Sequence, residues 1–421
     1  MYKLYKIKNG LRVLLAPMTE TKAVTVLVLT KVGSRYETKD INGVSHFVEH
    51  LMFKGTKKRP TTLSISKELD SIGAEYNAFT VKDHTGYYIK ARADKKELAL
   101  EMLSDILFNS KFEAREIDRE RGVIVEEINM YEDNPMMYME DLFEQTVFGD
   151  HPLGWNIAGP KDVIRKVSRA KIFNYYKKYY QPANMLVVVA GLIDNSTLDL
   201  VKKYFSKQSV GKFTNNYKKA TALQNKSQIQ IMKKQTEQAQ MALGFPAYSF
   251  MNEKLYALYL MSIILGGNMS SRLFTAIREK KGLCYFIRAS VNAYQDIGTL
   301  MIQAGLDKSR LHSAILEILK ELKKLKDSGV TKQELRKAKD YLEGKLTLKL
   351  ETSDDVASWL AKQELLENRI ISPAKLMAKL EKVSLQDIKK VANDIITTNK
   401  LNLSLIGPFD KVAEFKHLLK V

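Results

Sequence analysis

The chain contains an internal repeat, and this repeat constrains its fold more than any other feature. The segment ending in NMLVVVAG in the first half resembles the segment ending in LNLSLIGP in the second. Val167-Ser168 aligns with Val383-Ser384 and Gly191 with Gly407, both at an offset of 216 residues. Two further segments align at offsets of 213 to 218. Such constant offsets in the same order predict two copies of one unit of about 200 residues.

Each copy combines segments typical of strands with segments typical of helices. VTVLVLTKVG and NMLVVVAG are rich in β-branched residues and predict strands. VSHFVEHLMF, LSISKELDSIG and AREIDRERGVIVEEINMYED have helical periodicity. We therefore expect an α+β fold with two tandem homologous α/β-sandwich domains. Each would be a mostly antiparallel sheet covered by helices, and together they would enclose a cavity.

The polar segment SKQSVGKFTNNYKKATALQNKSQ separates the two copies. Its Asn, Ser and Lys content is typical of a linker. The sequence thus predicts an N-terminal domain at 1–207, a linker at 208–228 and a C-terminal domain at 229–421.

The composition narrows the classes of protein that fit. Lys and Arg number 67 against 48 Asp and Glu, a net charge of +19. The lysines are scattered beside acidic residues, without a basic stripe interleaved with aromatics, so we expect a lysine-rich surface and no nucleic-acid partner. The single cysteine, Cys284, excludes an intrachain disulfide. Any zinc site would therefore use His and carboxylate ligands.

The N-terminus and the hydropathy indicate neither secretion nor membrane insertion. MYKLYKIKNGLRVLLAPM lacks a long apolar core and a cleavage site, and predicts two strands around an Asn-Gly turn. No stretch reaches 18 uninterrupted apolar residues. We expect no membrane span and a cytoplasmic location.

The stretch SHFVEHLMFKG carries the strongest chemical signal. His46 and His50 are four apart, so on a helix both imidazoles reach one ion. Glu49 shares that face and could accept the proton of a zinc-activated water. A catalytic zinc takes three protein ligands, so a third ligand is needed. The alternative is a packed or solvated histidine pair on an amphipathic helix.

The helical segment ERGVIVEEINMYED is the best source of that third ligand in the first half. Glu120 and Glu127 are seven apart, nearly two turns, and point the same way, whereas Glu126 is rotated by about 100°. If Glu120 faces the site, Glu127 is the ligand and Glu120 can accept a ring N–H from a ligating histidine. The alternative is a surface carboxylate cluster balanced by neighbouring arginines.

HFVEHLMFKGT followed by ERGVIVEEINMYEDNP resembles the pitrilysin and insulinase family of zinc metallopeptidases, in the short two-domain form similar to the mitochondrial processing peptidase β subunit. The gap of 77 residues from His50 to Glu127 matches the family spacing. The resemblance implies that His46, His50 and Glu127 bind one zinc ion per chain. It also implies that Glu49 is the general base and that Glu120 supports catalysis.

Two further motifs extend the resemblance to substrate binding. The first is GAEYNAFTVKDHTGYY, in which the matching positions Asn77, Ala78, Phe79 and Thr80 would form an exposed edge strand that binds an extended peptide. An ordinary core strand is the alternative. The second is SSRLFTAIREKKGLCYFIRAS.

In that second motif, the resemblance implies that Arg278 and Tyr285 reach the substrate from the second copy. Both side chains can donate hydrogen bonds to a peptide carbonyl or a developing oxyanion. An ordinary helix-surface cation is the alternative for Arg278.

The resemblance implies a zinc-dependent endopeptidase that hydrolyses short or unfolded polypeptides, held in extended form within a two-lobed chamber. The second copy has the apolar LYALYLMSIILGGN in place of HxxEH, so one site per chain is expected. One chain carries both the HxxEH motif and the Arg/Tyr pair, which favours a homodimer, although a heterodimer with a related chain stays open. The alternatives are a non-catalytic peptide-binding member of the fold and a nucleic-acid-binding protein.

Overall fold

The computed structural model describes residues 2–208, 216–220 and 224–421. In chain order, the strands of these residues are β1 (Lys3–Lys6), β2 (Arg12–Pro17), β3 (Ala23–Thr30), β4 (Glu75–Thr80), β5 (Thr85–Arg92), β6 (Met185–Gly191), β7 (Gln228–Lys233), β8 (Ala239–Ala247), β9 (Cys284–Ala293), β10 (Gly298–Leu306) and β11 (Asn402–Gly407).

The helices of the same residues are α1 (Val44–Leu51), α2 (Thr62–Asp70), α3 (Lys96–Asn109), α4 (Ala114–Asp133), α5 (Pro135–Phe148), α6 (Lys161–Lys166), α7 (Arg169–Tyr179), α8 (Thr197–Phe205), α9 (Leu255–Gly266), α10 (Leu311–Ser328), α11 (Lys332–Lys349), α12 (Ser353–Lys362), α13 (Pro373–Glu381), α14 (Leu385–Ile395) and α15 (Ala413–Lys416). Two segments are π-helical, Phe274–Glu279 and Gln363–Glu367. Short 3₁₀ turns lie at Ser34–Tyr36, Lys39–Ile41, Ala93–Lys95, Pro152–Gly154, Pro182–Asn184, Lys308–Arg310 and Thr398–Lys400.

The chain divides into two compact units. Unit 1 comprises Met1–Ile128, Asn156–Lys218 and Thr347–Ile370. Unit 2 comprises Asn129–Trp155, Lys219–Leu346 and Ile371–Val421. Each unit thus includes a helical segment from the other half of the sequence.

The predicted domain boundaries at 1–207, 208–228 and 229–421 stay a prediction. Residues 209–215 and 221–223 of the predicted linker lie outside the described residues.

Unit 1 is built on a six-stranded sheet in the order β1-β2-β6-β3-β5-β4. All neighbouring pairs are antiparallel except β2 and β6. Alternate residues of a strand face opposite sides of the sheet, and in β3 the side chains of Val24, Val26 and Val28 join the core formed with α1, α3, α4 and α7. The β4 strand lies at the edge of this sheet, as predicted.

The segment around α12 completes unit 1. The Thr25 hydroxyl of β3 and the Ser353 hydroxyl at the start of α12 are hydrogen-bonded at 2.7 Å. Arg12 of β2 donates to the Glu364 carboxylate at 3.0 Å in the following π-helical segment. These polar contacts fix a segment that is more than 300 residues away from its partners along the chain.

Unit 2 is built on a five-stranded sheet in the order β7-β11-β8-β10-β9. Only β7 and β11 pair in parallel. One face packs against a large core that includes α9, α10 and α14, while α5 packs its Met139, Leu142 and Phe143 on β8, β10 and β11.

The two sheets share one connectivity. The order β2-β6-β3-β5-β4 in unit 1 corresponds strand by strand to β7-β11-β8-β10-β9 in unit 2. The prediction of two α+β units, each with a mostly antiparallel sheet covered by helices, is confirmed. Among the described residues, no helix has an apolar stretch long enough to cross a bilayer.

A buried ion-pair network holds the loop that follows α1. Arg59 is 3% exposed and donates to Glu68 of α2 at 2.6 Å, and to Glu101 and Asp105 of α3 at 2.5 and 3.0 Å. Thr56 also donates to Asp105, at 2.6 Å. One guanidinium therefore joins two helices to the loop leaving the histidine helix.

Replacing Arg59 tests this network. Arg59→Met leaves Glu68 and Asp105 without their cation and Glu101 with Lys58 alone, so we expect the free energy of unfolding to fall by about 3 kcal/mol. The measurement is the midpoint of urea unfolding. Arg92→Met removes an exposed pair with Asp94 and is the matched control, expected to leave the midpoint within error. Equal midpoints for the two variants would contradict the structural role of Arg59.

Candidate metal centre

The α1 helix separates apolar side chains from side chains that can bind a metal. Its buried apolar residues, which form part of the unit 1 core, are Val44, Phe47, Val48 and Leu51. The 3.6-residue period places His46, Glu49 and His50 on the other side of the helix. Burial of the apolar face therefore orients the polar side chains of the motif, His46, Glu49 and His50, away from the core.

Three donor atoms from α1 and α4 converge on one point. The His46 Nε2 and His50 Nε2 atoms are 3.1 Å apart. The Glu127 Oε2 atom lies 3.6 Å from His46 Nε2 and 3.4 Å from His50 Nε2. A metal bound by three side chains needs this arrangement, in which one atom of each faces a common centre.

These separations fit the dimensions of a zinc site. Tetrahedral zinc bonds of roughly 2.0–2.1 Å to nitrogen and oxygen place neighbouring ligand atoms about 3.3 Å apart. The three observed separations of 3.1, 3.4 and 3.6 Å lie around this value. Three protein ligands also leave a fourth position open, as in catalytic zinc sites. The donor set thus suits a catalytic rather than a structural zinc ion.

The helical phase of α4 distinguishes two adjacent glutamates. The helix spans Ala114–Asp133, the range predicted from its periodicity. Glu127 is half-buried and faces the histidines, whereas Glu126 is exposed. Glu120, two turns earlier, lies on the same side of the helix as Glu127 and is also close to His50.

Glu120 orients the second histidine. Its Oε1 atom lies 2.8 Å from His50 Nδ1, and its Oε2 atom lies 2.7 Å from Lys54 Nζ. Burial alone would raise the pKa of Glu120, but the bonds from His50 and Lys54 lower it. An ionised Glu120 accepts the Nδ1 proton and leaves the Nε2 lone pair of His50 for a metal.

The two histidines differ in their affinity for protons. Burial, together with neighbouring His50, holds the pKa of His46 well below its usual value. Burial also opposes the charge on His50, but bonds to Glu120 and Glu127 outweigh it and raise the pKa of His50 to about 9. In the metal-free protein, His50 therefore carries the proton that a metal would displace.

His46 lacks the support that Glu120 gives to His50. Its Nδ1 atom is buried and has no hydrogen-bond partner among the described residues. The orientation of its ring therefore depends on the backbone of the first turn of α1 and on packing.

Glu49 is held by the end of β4. The Thr80 hydroxyl donates to Glu49 Oε2 at 2.5 Å, and burial raises the pKa of Glu49. A carboxylate with a raised pKa beside the ligands can accept a proton and later release it near neutral pH. The contact also brings Thr80, expected to bind substrate, next to the expected general base.

The open edge of β4 leads up to this position. β4 pairs with β5 on one side only, from Glu75 opposite Lys90 to Thr80 opposite Thr85. The Ala78 N–H bonds the Asn77 side-chain oxygen at 2.9 Å instead of a strand. An edge with backbone groups of this kind can accept an additional strand.

Arg278 and Tyr285 belong to unit 2. Arg278 lies in the π-helical segment, with its guanidinium carbon 4.7 Å from the centre of the Phe274 ring and 5.7 Å from that of the Tyr285 ring. Tyr285 is 74% exposed on the edge strand β9. The Arg278 cation thus contacts the rings of both Phe274 and Tyr285. The guanidinium of Arg278 and the hydroxyl of Tyr285 lie near the surface of unit 2.

Sequence reasoning did not identify two of the contacts around this site. The contact of Lys54 with Glu120 has only a weak sequence signal, which is that Lys54 follows His50 by four residues and would share its face if the helix continued. The bond between Thr80 and Glu49 has no sequence signal, because the two residues are 31 apart and meet only through the packing of α1 on β4.

Comparisons with known proteins identify the family of this chain. Residues 12–161 match the family described as Insulinase (Peptidase family M16), and residues 166–342 match the domain described as Peptidase M16 inactive domain. A Bacillus subtilis protein described as an uncharacterized zinc protease is 35% identical over 97% of this chain and 98% of its own length. A Streptomyces coelicolor protein of the same description is 33% identical over 98% of this chain and 91% of its own.

Solved structures show the same two-unit architecture. A crystal structure of a protease from Helicobacter pylori has a TM-score of 0.91 and 27% identity, covering 97% of this chain and 99% of its own. A Pseudomonas fluorescens structure described as a peptidase M16 inactive domain has a TM-score of 0.89 at 18% identity, covering 97% of this chain and 98% of its own, and shares the fold. On the strength of the sequence matches over nearly its whole length, this chain belongs to the insulinase family, peptidase family M16.

Proposed function

We propose that this chain is a zinc-dependent endopeptidase that hydrolyses peptide bonds in short or unfolded polypeptides. The observation that carries the proposal is the convergence of His46, His50 and Glu127, whose donor atoms are 3.1–3.6 Å apart, beside the half-buried Glu49. Membership of a peptidase family and relatives described as zinc proteases support it.

In the proposed mechanism, His46, His50 and Glu127 hold one zinc ion per chain. Bound zinc supplies a Lewis acid that activates water and polarises the scissile carbonyl. Glu120 keeps His50 in the tautomer that presents Nε2, and Lys54 neutralises Glu120 on its other oxygen.

Glu49 moves the proton in this mechanism. It takes a proton from the attacking water and passes it to the leaving amine. The raised pKa of Glu49 favours the second transfer, because the protonated carboxyl is then stable long enough to act as an acid. The Thr80 hydroxyl fixes one carboxylate oxygen, which leaves the other to contact the water.

The edge strand β4 aligns the substrate in this proposal. A peptide added beside Asn77, Ala78, Phe79 and Thr80 would bond the backbone of β4, which suits sequence-tolerant binding of extended chains. Asn77 would release the Ala78 N–H to the peptide. Arg278 and Tyr285 would contact the substrate from unit 2 with their donor groups.

Substrate size and assembly complete the proposal. Two homologous units that enclose the peptide would admit short or unfolded chains and exclude folded domains. Because one chain carries all of the expected residues, we propose a homodimer, with a heterodimer as the alternative.

The general base is tested by Glu49→Gln. We expect about one zinc ion per chain in both wild type and variant, because Glu49 is not a ligand. We expect peptide cleavage to fall by roughly 10²–10⁴-fold or more, because the variant cannot accept the proton. Metal analysis and a fluorogenic peptide assay measure the two effects. Cleavage at the wild-type rate would contradict the mechanism, and a wild type that binds zinc without cleaving any peptide would favour a non-catalytic role.

The third ligand is tested by a matched pair of neighbours. Glu127→Gln removes the carboxylate that faces the histidines, so we expect zinc affinity to fall by at least tenfold. Glu126→Gln changes an exposed carboxylate on the adjacent position and should leave the affinity unchanged. Competition with a chromogenic chelator measures both dissociation constants. The reverse pattern, with Glu126 needed and Glu127 dispensable, would refute the assignment.

The raised pKa of His50 predicts how zinc affinity depends on pH. Below about pH 9, metal-free His50 carries a proton that zinc must displace, so the affinity should weaken as the pH falls. We expect about a tenfold weakening per pH unit between pH 8.5 and 6.5, the slope for one released proton. Competition titrations in zinc buffers measure this slope. A dissociation constant independent of pH in that range would show that no proton is displaced.

A further inference from the structure

The α1 helix begins without a capping side chain of its own. Its N-cap residue is Gly43, with φ of +97°, a conformation that other residues rarely adopt. A Cβ atom at this position would lie 2.4 Å from the Ala158 carbonyl oxygen. Glycine is therefore required at the position where Ser, Thr, Asp or Asn usually binds the free N–H groups of a helix.

Glu37, six residues upstream, binds these groups instead. Its Oε2 atom accepts from the Gly43 N–H at 2.7 Å and from the Asn42 side-chain amide at 2.9 Å. Its Oε1 atom accepts from the Ser45 N–H at 2.7 Å. The carboxylate is 4% exposed, so these bonds are shielded from water.

The bond to Ser45 matters because the next residue is His46. Among the described residues, the Nδ1 atom of His46 has no hydrogen-bond partner, whereas the Nδ1 atom of His50 is held by Glu120. Ser45 is also held through its hydroxyl, 2.7 Å from the Tyr175 hydroxyl of α7. Since the first turn of α1 sets the direction of the His46 side chain, the groups that fix this turn also fix one ligand.

We propose that Glu37 is a positioning residue, which caps α1 from outside and thereby holds His46 in its zinc-binding orientation. This inference rests on the proposed zinc site. Glu37 touches neither the expected ligands nor the expected substrate, and acts through the backbone of Gly43 and Ser45.

A role limited to stability fits Glu37 poorly. Burial raises the pKa of Glu37 to about 7, although bonds from Asn42, Ser45 and Gly43 oppose the rise. The folded state therefore binds the proton more tightly than the unfolded state, so the contribution of Glu37 to folding is lost as the pH rises from the ordinary pKa of 4.5 to about 7. Among the described residues, no cation forms an ion pair with it, and the titratable group nearest on α7, Tyr175, stays neutral because burial raises its pKa.

The experiment measures two quantities for the metal-free full chain at pH 8: the zinc dissociation constant and the midpoint of thermal unfolding. For Glu37→Gln we expect a dissociation constant 10- to 100-fold weaker, the usual effect of losing a group that orients a ligand. The amide nitrogen of Gln cannot accept from the N–H group that it faces, so the first turn of α1 is held less firmly. We expect the unfolding midpoint to stay within error of wild type, because the lost hydrogen bond is offset by the removal of a buried charge.

A matched control reverses this pattern. Glu364 is another buried carboxylate of unit 1, paired with Arg12 away from α1. Glu364→Gln should lower the unfolding midpoint and leave the zinc dissociation constant unchanged.

The pH profile provides a further readout that a purely structural role would not change. Protonated Glu37 resembles Gln, so the ratio of the Glu37→Gln and wild-type dissociation constants should shrink toward one as the pH falls from 8 to 6. The proposal would be overturned if this ratio stayed constant with pH and the unfolding midpoint of Glu37→Gln fell below that of wild type. It would also be overturned if Glu37→Gln bound zinc as tightly as wild type at pH 8.

A second variant keeps the test decisive if Glu37→Gln does not fold. Glu37→Asp keeps the charge but shortens the side chain, so it cannot reach both N–H groups, and we expect weaker zinc binding. A wild-type dissociation constant for Glu37→Asp would overturn the proposal. If the wild-type protein binds no zinc, the proposed function is contradicted. If wild type binds zinc and both Glu37 variants bind it equally well, only this inference is contradicted.

Discussion

The candidate site of unit 1 depends on holding three donor atoms within 3.6 Å of one another on two helices. Donor atoms this close repel each other through their lone pairs unless a proton or a metal lies between them. In the metal-free protein the raised pKa of His50 provides the proton. The apolar faces of α1 and α4 pack in one core, which fixes the two backbones that carry the donors. The same core therefore pre-forms the site before any metal binds.

Among the residues that the structure describes, this arrangement occurs once, in the first copy of the internal repeat. Both units share the strand order that supports α1 in unit 1 and α9 in unit 2. In α9 the positions are apolar and nearly all are buried, so the helix serves the core of unit 2 alone. Unit 2 instead carries the exposed Tyr285 beside Arg278. The second copy thus has the same architecture without a counterpart of the HFVEH side chains.

Local periodicity was sufficient to predict some features and not others. The range of α4 and the common side of Glu120 and Glu127 follow from the 3.6-residue period, which depends on neighbouring residues only. The edge position of β4 was expected from the family resemblance, because its alternation fits an ordinary core strand equally well. The hydrogen bonds between Thr80 and Glu49 and between Glu37 and Ser45 depend on how separate segments pack. A periodic sequence pattern contains no information about such packing. The inclusion of α12 in unit 1 was unpredictable for the same reason, because its partner Thr25 lies 328 residues away along the chain.

The central claim is that zinc binds between α1 and α4, and anomalous diffraction at the zinc absorption edge tests it most directly. In crystals of the zinc-loaded protein we predict one anomalous peak per chain, about 2.0–2.2 Å from the Nε2 atoms of His46 and His50 and from an oxygen of Glu127. A peak at another position, or zinc bound without Glu127, would contradict the account.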